Sequence, residues 1–333
     1  MKKIIIIVLL FASKVYANGI ISSINNISST TIPLYSKFET GISLTKTFTN
    51  PYNPDIISIE AQFTSPTGKL YTVYGFYYQD YQKIITAPFW NPITTPFPWR
   101  IRFSPNETGT WSYTIAAKEN ISNTTGTTSL QTFVCTNSTN PGYLSVSSNK
   151  RYLQYSNGSS FFGIAEDLRA FSNTQPATLQ DCASNNVSCT DWCYTPNTLV
   201  KHKEWINDFK NNGGNLVRIW LEPYSYEIEW ENLNNYSNRQ NRAYDFDELI
   251  EYLSTNKVYT HLVLYNEFML RKKDTLSTND QWMIIDETHR REWSLRFRKN
   301  YRITRAGRLG LLLCRQPASL ATVSAGGRVT RKI

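Results

Sequence analysis

The feature that most constrains this chain is a change in the period of its apolar residues. From about Tyr35 to Val134, short β-rich runs are separated by turn signals at spacings of roughly ten residues. From Asn197 onward, apolar residues recur at intervals of three and four, with short apolar runs between those stretches. Successive strands followed by alternating strands and helices read as two modules in series. At 333 residues the chain is long enough for each to bury its own core.

The first module reads as an all-β sandwich. Ile57, Ile59, Ala61 and Phe63 fall on one face of a strand, with Ser58, Glu60 and Gln62 on the other. Ser65-Pro66-Thr67-Gly68 then turns the chain into Leu70 to Tyr78, the proline setting the early dihedral and the glycine supplying the late one. Trp99 to Phe103 is a strand, Ser104 to Gly109 a turn, and Thr110 to Ile115 the return, with Trp111, Tyr113 and Ile115 on one face. The aromatic residues here are dense enough to suggest a sugar-stacking surface, since a flat ring can cover the apolar face of a pyranose. Most are expected to fill the core, with Tyr77, Tyr78, Tyr81 and Trp90 expected at the surface.

The segments Phe63-Thr64-Ser65-Pro66-Thr67-Gly68-Lys69, Gly75-Phe76-Tyr77-Tyr78, Arg102-Phe103-Ser104-Pro105 and Gly109-Thr110-Trp111-Ser112-Tyr113 resemble the Ig-like DUF5060 domain. That resemblance covers about 100 residues. It implies a sandwich placed before a glycoside-hydrolase-like barrel, and by itself implies no reaction.

After Asn140-Pro141-Gly142, a hairpin through Asn157-Gly158 leads into a first buried strand at Phe161–Ile164. An amphipathic helix over Asn197–Asn212 ends at Gly213-Gly214. A strand over Asn215–Leu221, a helix over Tyr244–Leu253 and a strand over Val258–Leu264 complete a β/α pattern. No glycine-rich phosphate loop appears, which makes a nucleotide fold the weaker choice.

Gly-Gly-Asn215-Leu216-Val217-Arg218-Ile219 resembles the second β/α unit of the clan A glycoside hydrolase barrels. The resemblance implies that Arg218 supports a nucleophilic carboxylate, a task suited to a guanidinium fork; an ordinary ion pair is the alternative. It also implies an acid/base Glu in an Asn-Glu pair, which Asn266-Glu267 superficially matches. Here the pair follows the third strand, whereas the family carries it on the fourth. Glu267 is thus the catalytic candidate beside Arg218, and Asp167, Trp220, Glu222 and Asn266 are candidates for binding substrate. Fewer than 130 residues separate Tyr143 from Met269, against about 250 for eight β/α units, so the expected (β/α)8 TIM-barrel-like domain is incomplete.

The ends differ from the middle. Lys2-Lys3, the apolar run Ile4 to Ala12 and Val15-Tyr16-Ala17 read as a secretory signal, the run being about half what a bilayer crossing needs. Residues 1–270 hold 20 Lys+Arg and 21 Asp+Glu, a net of −1, while residues 271–333 hold 15 and 5, a net of +10. The formal charge of +9 therefore belongs to the tail and does not mark a globally basic nucleic-acid binder. That tail is either a basic arm for an acidic surface or a segment foreign to the ancestral fold, such as a shifted reading frame.

Of the five cysteines, Cys314 lies in the tail. Cys135, Cys182, Cys189 and Cys193 remain, and the clustering of the last three favours a local disulfide staple over a zinc site. His202, His261 and His289 are isolated, without metal-ligand spacing.

The expected organisation is a signal over residues 1–17, an Ig-like sandwich over 18–140, the first part of a barrel over 141–270 and an anomalous tail over 271–333. The expected function is a secreted glycoside-hydrolase-like protein acting on O-glycosidic bonds of a polysaccharide or oligosaccharide, inactive if the barrel is truncated. It would use no cofactor, metal or nucleic acid, and no membrane once the signal is removed. The alternative is a non-catalytic secreted protein that binds carbohydrate or another surface.

Overall fold

The structure is a computed structural model, which describes residues 17–84, 90–168, 198–221, 226, 228 and 236–263. The chain opens with β1 (Ala17–Gly19), β2 (Ile21–Asn26), β3 (Thr31–Pro33) and β4 (Phe38–Leu44). Next come β5 (Ile57–Thr64), β6 (Leu70–Tyr74), β7 (Phe76–Tyr77) and the hairpin β8 (Asp80–Lys83) with β9 (Trp90–Ile93). β10 (Trp99–Phe103), β11 (Gly109–Glu119), β12 (Thr125–Thr128) and β13 (Gln131–Thr136) complete the first module.

Two sheets face each other, as the alternating runs predict. In one, β11 has β5 along one edge and β12 and β13 in succession along the other, with β6, β1 and β3 outside them. The other runs β2-β4-β10-β7. Ile57, Ile59, Ala61 and Phe63 are buried, and so are Trp111, Tyr113, Ile115 and Ala117, so the inward residues of both predicted strands meet in one core. Phe38 stacks on Phe133 with ring centroids 4.3 Å apart, and Phe63 on Phe103 at 4.2 Å. Cys135 lies in this core as a free thiol, 2% exposed. It is not part of a disulfide, and burial pushes its pKa up to about 11. The expected staple of Cys182, Cys189 and Cys193 lies outside the described residues, as do residues 1–16 of the expected signal and the whole tail.

A small antiparallel meander follows, of β14 (Leu144–Val146), β15 (Leu153–Tyr155) and β16 (Ser160–Phe161). Next come β17 (Ala165–Leu168), α1 (Thr198–Asn211), β18 (Leu216–Trp220), α2 (Gln240–Thr255) and β19 (Tyr259–Val263). β17, β18 and β19 form a parallel sheet in that order. The described residues therefore form a parallel β/α unit and not a closed barrel. The first parallel strand begins at Ala165, four residues later than expected, because Phe161 completes the meander and packs with Tyr259 and Leu144 in a separate cluster.

The two modules meet through α2. Every residue of β10 is buried, including Arg100 and Arg102, although an alternating Trp-Arg-Ile-Arg-Phe strand ordinarily leaves its polar face in water. Arg102 Nε donates to Glu39 Oε2 at 2.9 Å, while Nη1 and Nη2 donate to Asp247 of α2 at 2.8 and 3.1 Å. Burial alone would lower the pKa of this guanidinium, but Asp247 and Glu39 reverse the effect and raise it. The aromatics expected at the surface are at this seam instead. Trp90 Nε1 donates to Asp245 at 3.1 Å, Tyr81 meets Tyr244 edge-on, Tyr77 packs between Tyr52 and Trp99, and Tyr78 lies under the Arg100 guanidinium. An aromatic-rich strand face looks the same in sequence whether it meets sugar or a helix; here the helix takes it.

Arg102→Met should lower stability by about 3–5 kcal/mol in urea unfolding, because it removes the closest cation from the buried Glu39 and the two-point partner from the half-buried Asp247. Lys201→Met, which removes the 2.8 Å pair to the exposed Glu204, should cost no more than about 1 kcal/mol.

Candidate functional site

The parallel sheet is positioned by a helix stop and an amide clamp. Gly213 follows α1 with φ of +90°, a conformation in which a side chain would be strained. Its N–H donates to Lys210 O at 2.9 Å, and that of Gly214 donates to Phe209 O at 2.9 Å, the paired bonds of a Schellman stop. A Cβ at Gly214 would lie 2.3 Å from the Phe209 ring, so a side chain here would have to displace that ring. Asn215 then joins the strands. Its Oδ1 accepts from Ile164 N and its Nδ2 donates to Phe162 O, both at 2.8 Å.

With that register set, Leu168, Ile219 and Leu262 align across the three strands, and so do Asp167, Arg218 and His261. The first row, with Val217, is buried in the same cluster as Ile206 of α1 and Leu249 and Leu253 of α2. Because strand residues alternate, the second row and Trp220 point to the face opposite the described helices. Glu166, the neighbouring described carboxylate, falls on the register of Val217 and belongs to the other face.

On the open face Arg218 and Asp167 form a two-point ion pair, Nε to Oδ1 at 2.5 Å and Nη2 to Oδ2 at 2.6 Å. The pair raises the Arg218 pKa. Both side chains remain partly in water, 41% and 33% exposed, so the contact orients more than it stabilises. The guanidinium carbon lies 4.9 Å from the centre of the Trp220 ring, a cation–π distance. The Trp220 Nε1 donor is buried and has no hydrogen-bond partner among the described residues. His261 completes the row, and its pKa lies below the usual 6.5, first through burial and then through the Arg218 charge, with Asp167 opposing.

The structure thus brings together Asp167, Arg218 and Trp220 of the sequence candidates and adds His261. Glu222, Asn266 and Glu267 lie outside the described residues. His261 reads as isolated in sequence because its neighbours are cross-strand; the available signal is that it occupies the place in its strand that Arg218 occupies in the preceding one. His202 is instead a buried residue of α1, with Nδ1 2.7 Å from the Tyr226 hydroxyl. Among the described residues no group of three His, Cys, Asp or Glu could hold a metal ion.

Residues 31–118 match the family described as a domain of unknown function, DUF5060. No curated protein matches the chain. Among solved structures, the chain is similar to a candidate glycoside hydrolase from Bacteroides vulgatus, at 18% identity and a TM-score of 0.46 over 70% of this chain and 41% of that one. It therefore spans under half of that protein. A second similarity is to the cohesin module of a Clostridium perfringens family 33 glycoside hydrolase, at 10% identity and a TM-score of 0.21 over 36% of this chain and all of that module.

His261 should titrate by NMR with a midpoint below 6.5; Asp167→Asn should lower it further and Arg218→Gln should raise it. In the window just below 6.5 the unfolded chain binds more protons at this residue than the folded chain does, so this contribution to stability falls as the pH drops through it. His261→Gln should remove that part of the acid sensitivity in urea titrations between pH 7 and 5.

Proposed function

We propose that the chain is a secreted, glycoside-hydrolase-like protein that binds a polysaccharide or oligosaccharide on the open face of its parallel sheet. The observation that supports this is the combination of an indole, a guanidinium and a carboxylate on one partly exposed strand face. A pyranose offers an apolar face of C–H groups and a rim of hydroxyls that both donate and accept. An aromatic ring matches the first, and charged donors and acceptors match the second. None of these contacts uses a cofactor or metal.

In the catalytic form of this reading, Glu267 protonates the leaving oxygen of an O-glycosidic bond, and a carboxylate from a further strand attacks the anomeric carbon. A retaining mechanism puts those two carboxyls about 5–5.5 Å apart. Arg218 would orient the attacking carboxylate. One observation favours the non-catalytic alternative: Asp167 already takes the Nε/Nη2 edge of Arg218, leaving the Nη1 protons and the second Nη2 proton for any other group. In that reading the same face recognises sugar without cleaving it.

Binding to a panel of soluble β-glucans and other polysaccharides by affinity electrophoresis, with reducing-sugar release measured in parallel, tests both forms. Trp220→Ala should weaken binding about tenfold, equivalent to about 1.4 kcal/mol. Unchanged binding in that variant would mean that this face is not the site. Release that disappears in Glu267→Gln while binding persists supports the enzyme; binding without release in the unaltered chain supports the recognition protein.

A further inference from the structure

The sequence contains eight Asn-x-Ser/Thr triplets, beginning at Asn26, Asn106, Asn120, Asn123, Asn137, Asn157, Asn186 and Asn235. The fold divides the first six into two groups; Asn186 lies outside the described residues, as does Asn235. We propose that Asn123, Asn137 and Asn157 are N-glycan acceptors and that Asn26, Asn106 and Asn120 are not. The proposal rests on export of the chain, since such triplets become acceptors on the surface of secreted proteins.

The three acceptors share exposure and an uncommitted amide nitrogen. Asn123 is exposed in the turn between β11 and β12, with φ of +54°. Asn137 is exposed directly after β13. Asn157 is exposed in the turn between β15 and β16, and only its Oδ1 is engaged, accepting from Ser159 N at 3.0 Å and Ser159 Oγ at 2.7 Å. The hydroxyl-bearing third residues, Thr125, Thr139 and Ser159, are exposed as well.

The other three amides are half-buried and hold the sandwich together. Asn26 lies within β2, where its Oδ1 accepts from the hydroxyl of the buried Tyr113 at 2.8 Å. The Ser28 hydroxyl of the same triplet donates to Lys37 O and accepts from Glu39 N. Asn106 shares both amide atoms with the Tyr71 hydroxyl, at 3.3 and 3.2 Å. Asn120 Nδ2 donates to Pro54 O at 2.9 Å.

In the transfer, Nδ2 loses one proton and forms a C–N bond to the anomeric carbon of a lipid-diphosphate-linked oligosaccharide. The C–O bond to the diphosphate breaks, and the diphosphate leaves with the electron pair. At Asn123, Asn137 and Asn157 the attached sugar projects into water. At Asn106 and Asn120 it would have to displace a hydrogen bond that Nδ2 donates, and at the half-buried Asn26 it would crowd β2 beside the buried Tyr113, so molecules carrying it there do not reach the folded, secreted pool.

The test is secretion of the full chain from a eukaryotic host, once behind its own first 17 residues and once behind a host leader. The folded product is treated with a glycan-releasing amidase in 18O water, which marks each formerly glycosylated Asn, and is mapped by peptide mass spectrometry. Marks at residues 123, 137 and 157 with none at 26, 106 and 120 are expected. A mark at any of the latter three, or none at any one of the former three, overturns the proposal. The triple Asn→Gln variant at the acceptors should lose three glycan masses and still unfold cooperatively, which separates loss of acceptors from loss of fold. Secretion behind the host leader alone would overturn the export reading and leave the acceptor map standing on its own result.

Discussion

A buried guanidinium joins the two halves of this molecule. Arg102 leaves water on folding, and it does so with Glu39 on the neighbouring strand and Asp247 on a helix of the second module. Without Arg102, Asp247 would lose its two-point partner and Glu39 its closest cation in a poorly solvated seam. The trio therefore specifies which face of the sandwich meets which face of α2, while Tyr52, Tyr77, Trp90 and Tyr236 supply apolar contact around it. We read its role as registry more than net stabilisation, since a buried ion pair repays little of its desolvation.

That seam has consequences for the candidate site. α2 has two working sides: Asp245, Asp247 and Glu248 meet Lys83 and Arg102, and Phe246, Leu249 and Leu253 pack into the cluster that contains Val217 and Ile219. The side of the parallel sheet covered by helices is thereby settled, and Asp167, Arg218, Trp220 and His261 are left on the other. At the start of β18, the Gly213 stop and the Asn215 clamp set the register that places Arg218 opposite Asp167. A slip of one residue would turn Arg218 into the apolar cluster, at the expense of a buried charge.

Much of this was legible in the residues themselves. The alternation in Ile57–Phe63 and Trp111–Ile115 identifies inward faces that the structure buries, and Gly213-Gly214 marks the end of α1 where it occurs. The first parallel strand was less legible, because Phe161 and Leu168 both carry strand signals and only packing against Tyr259 assigns Phe161 to the meander. Tyr77, Tyr78, Tyr81 and Trp90 look like a surface platform until a helix is known to lie over them. His261 carries no local motif at all; its importance depends on strands that bring it beside a residue 43 positions earlier.

By itself, then, the sequence determined the local periods, the turns, the helix stop and the succession of a strand module and a strand–helix module. Those depend on steric preferences and on apolar spacing within a few residues. Only the tertiary structure decided that Arg102 would be buried, that the aromatics of β7 to β9 would serve an internal seam, and that Asp167, Arg218 and His261 would form one row. Each of those outcomes depends on which surface is removed from water by a distant segment, and desolvation is a property of the assembled layers that no short stretch of residues carries.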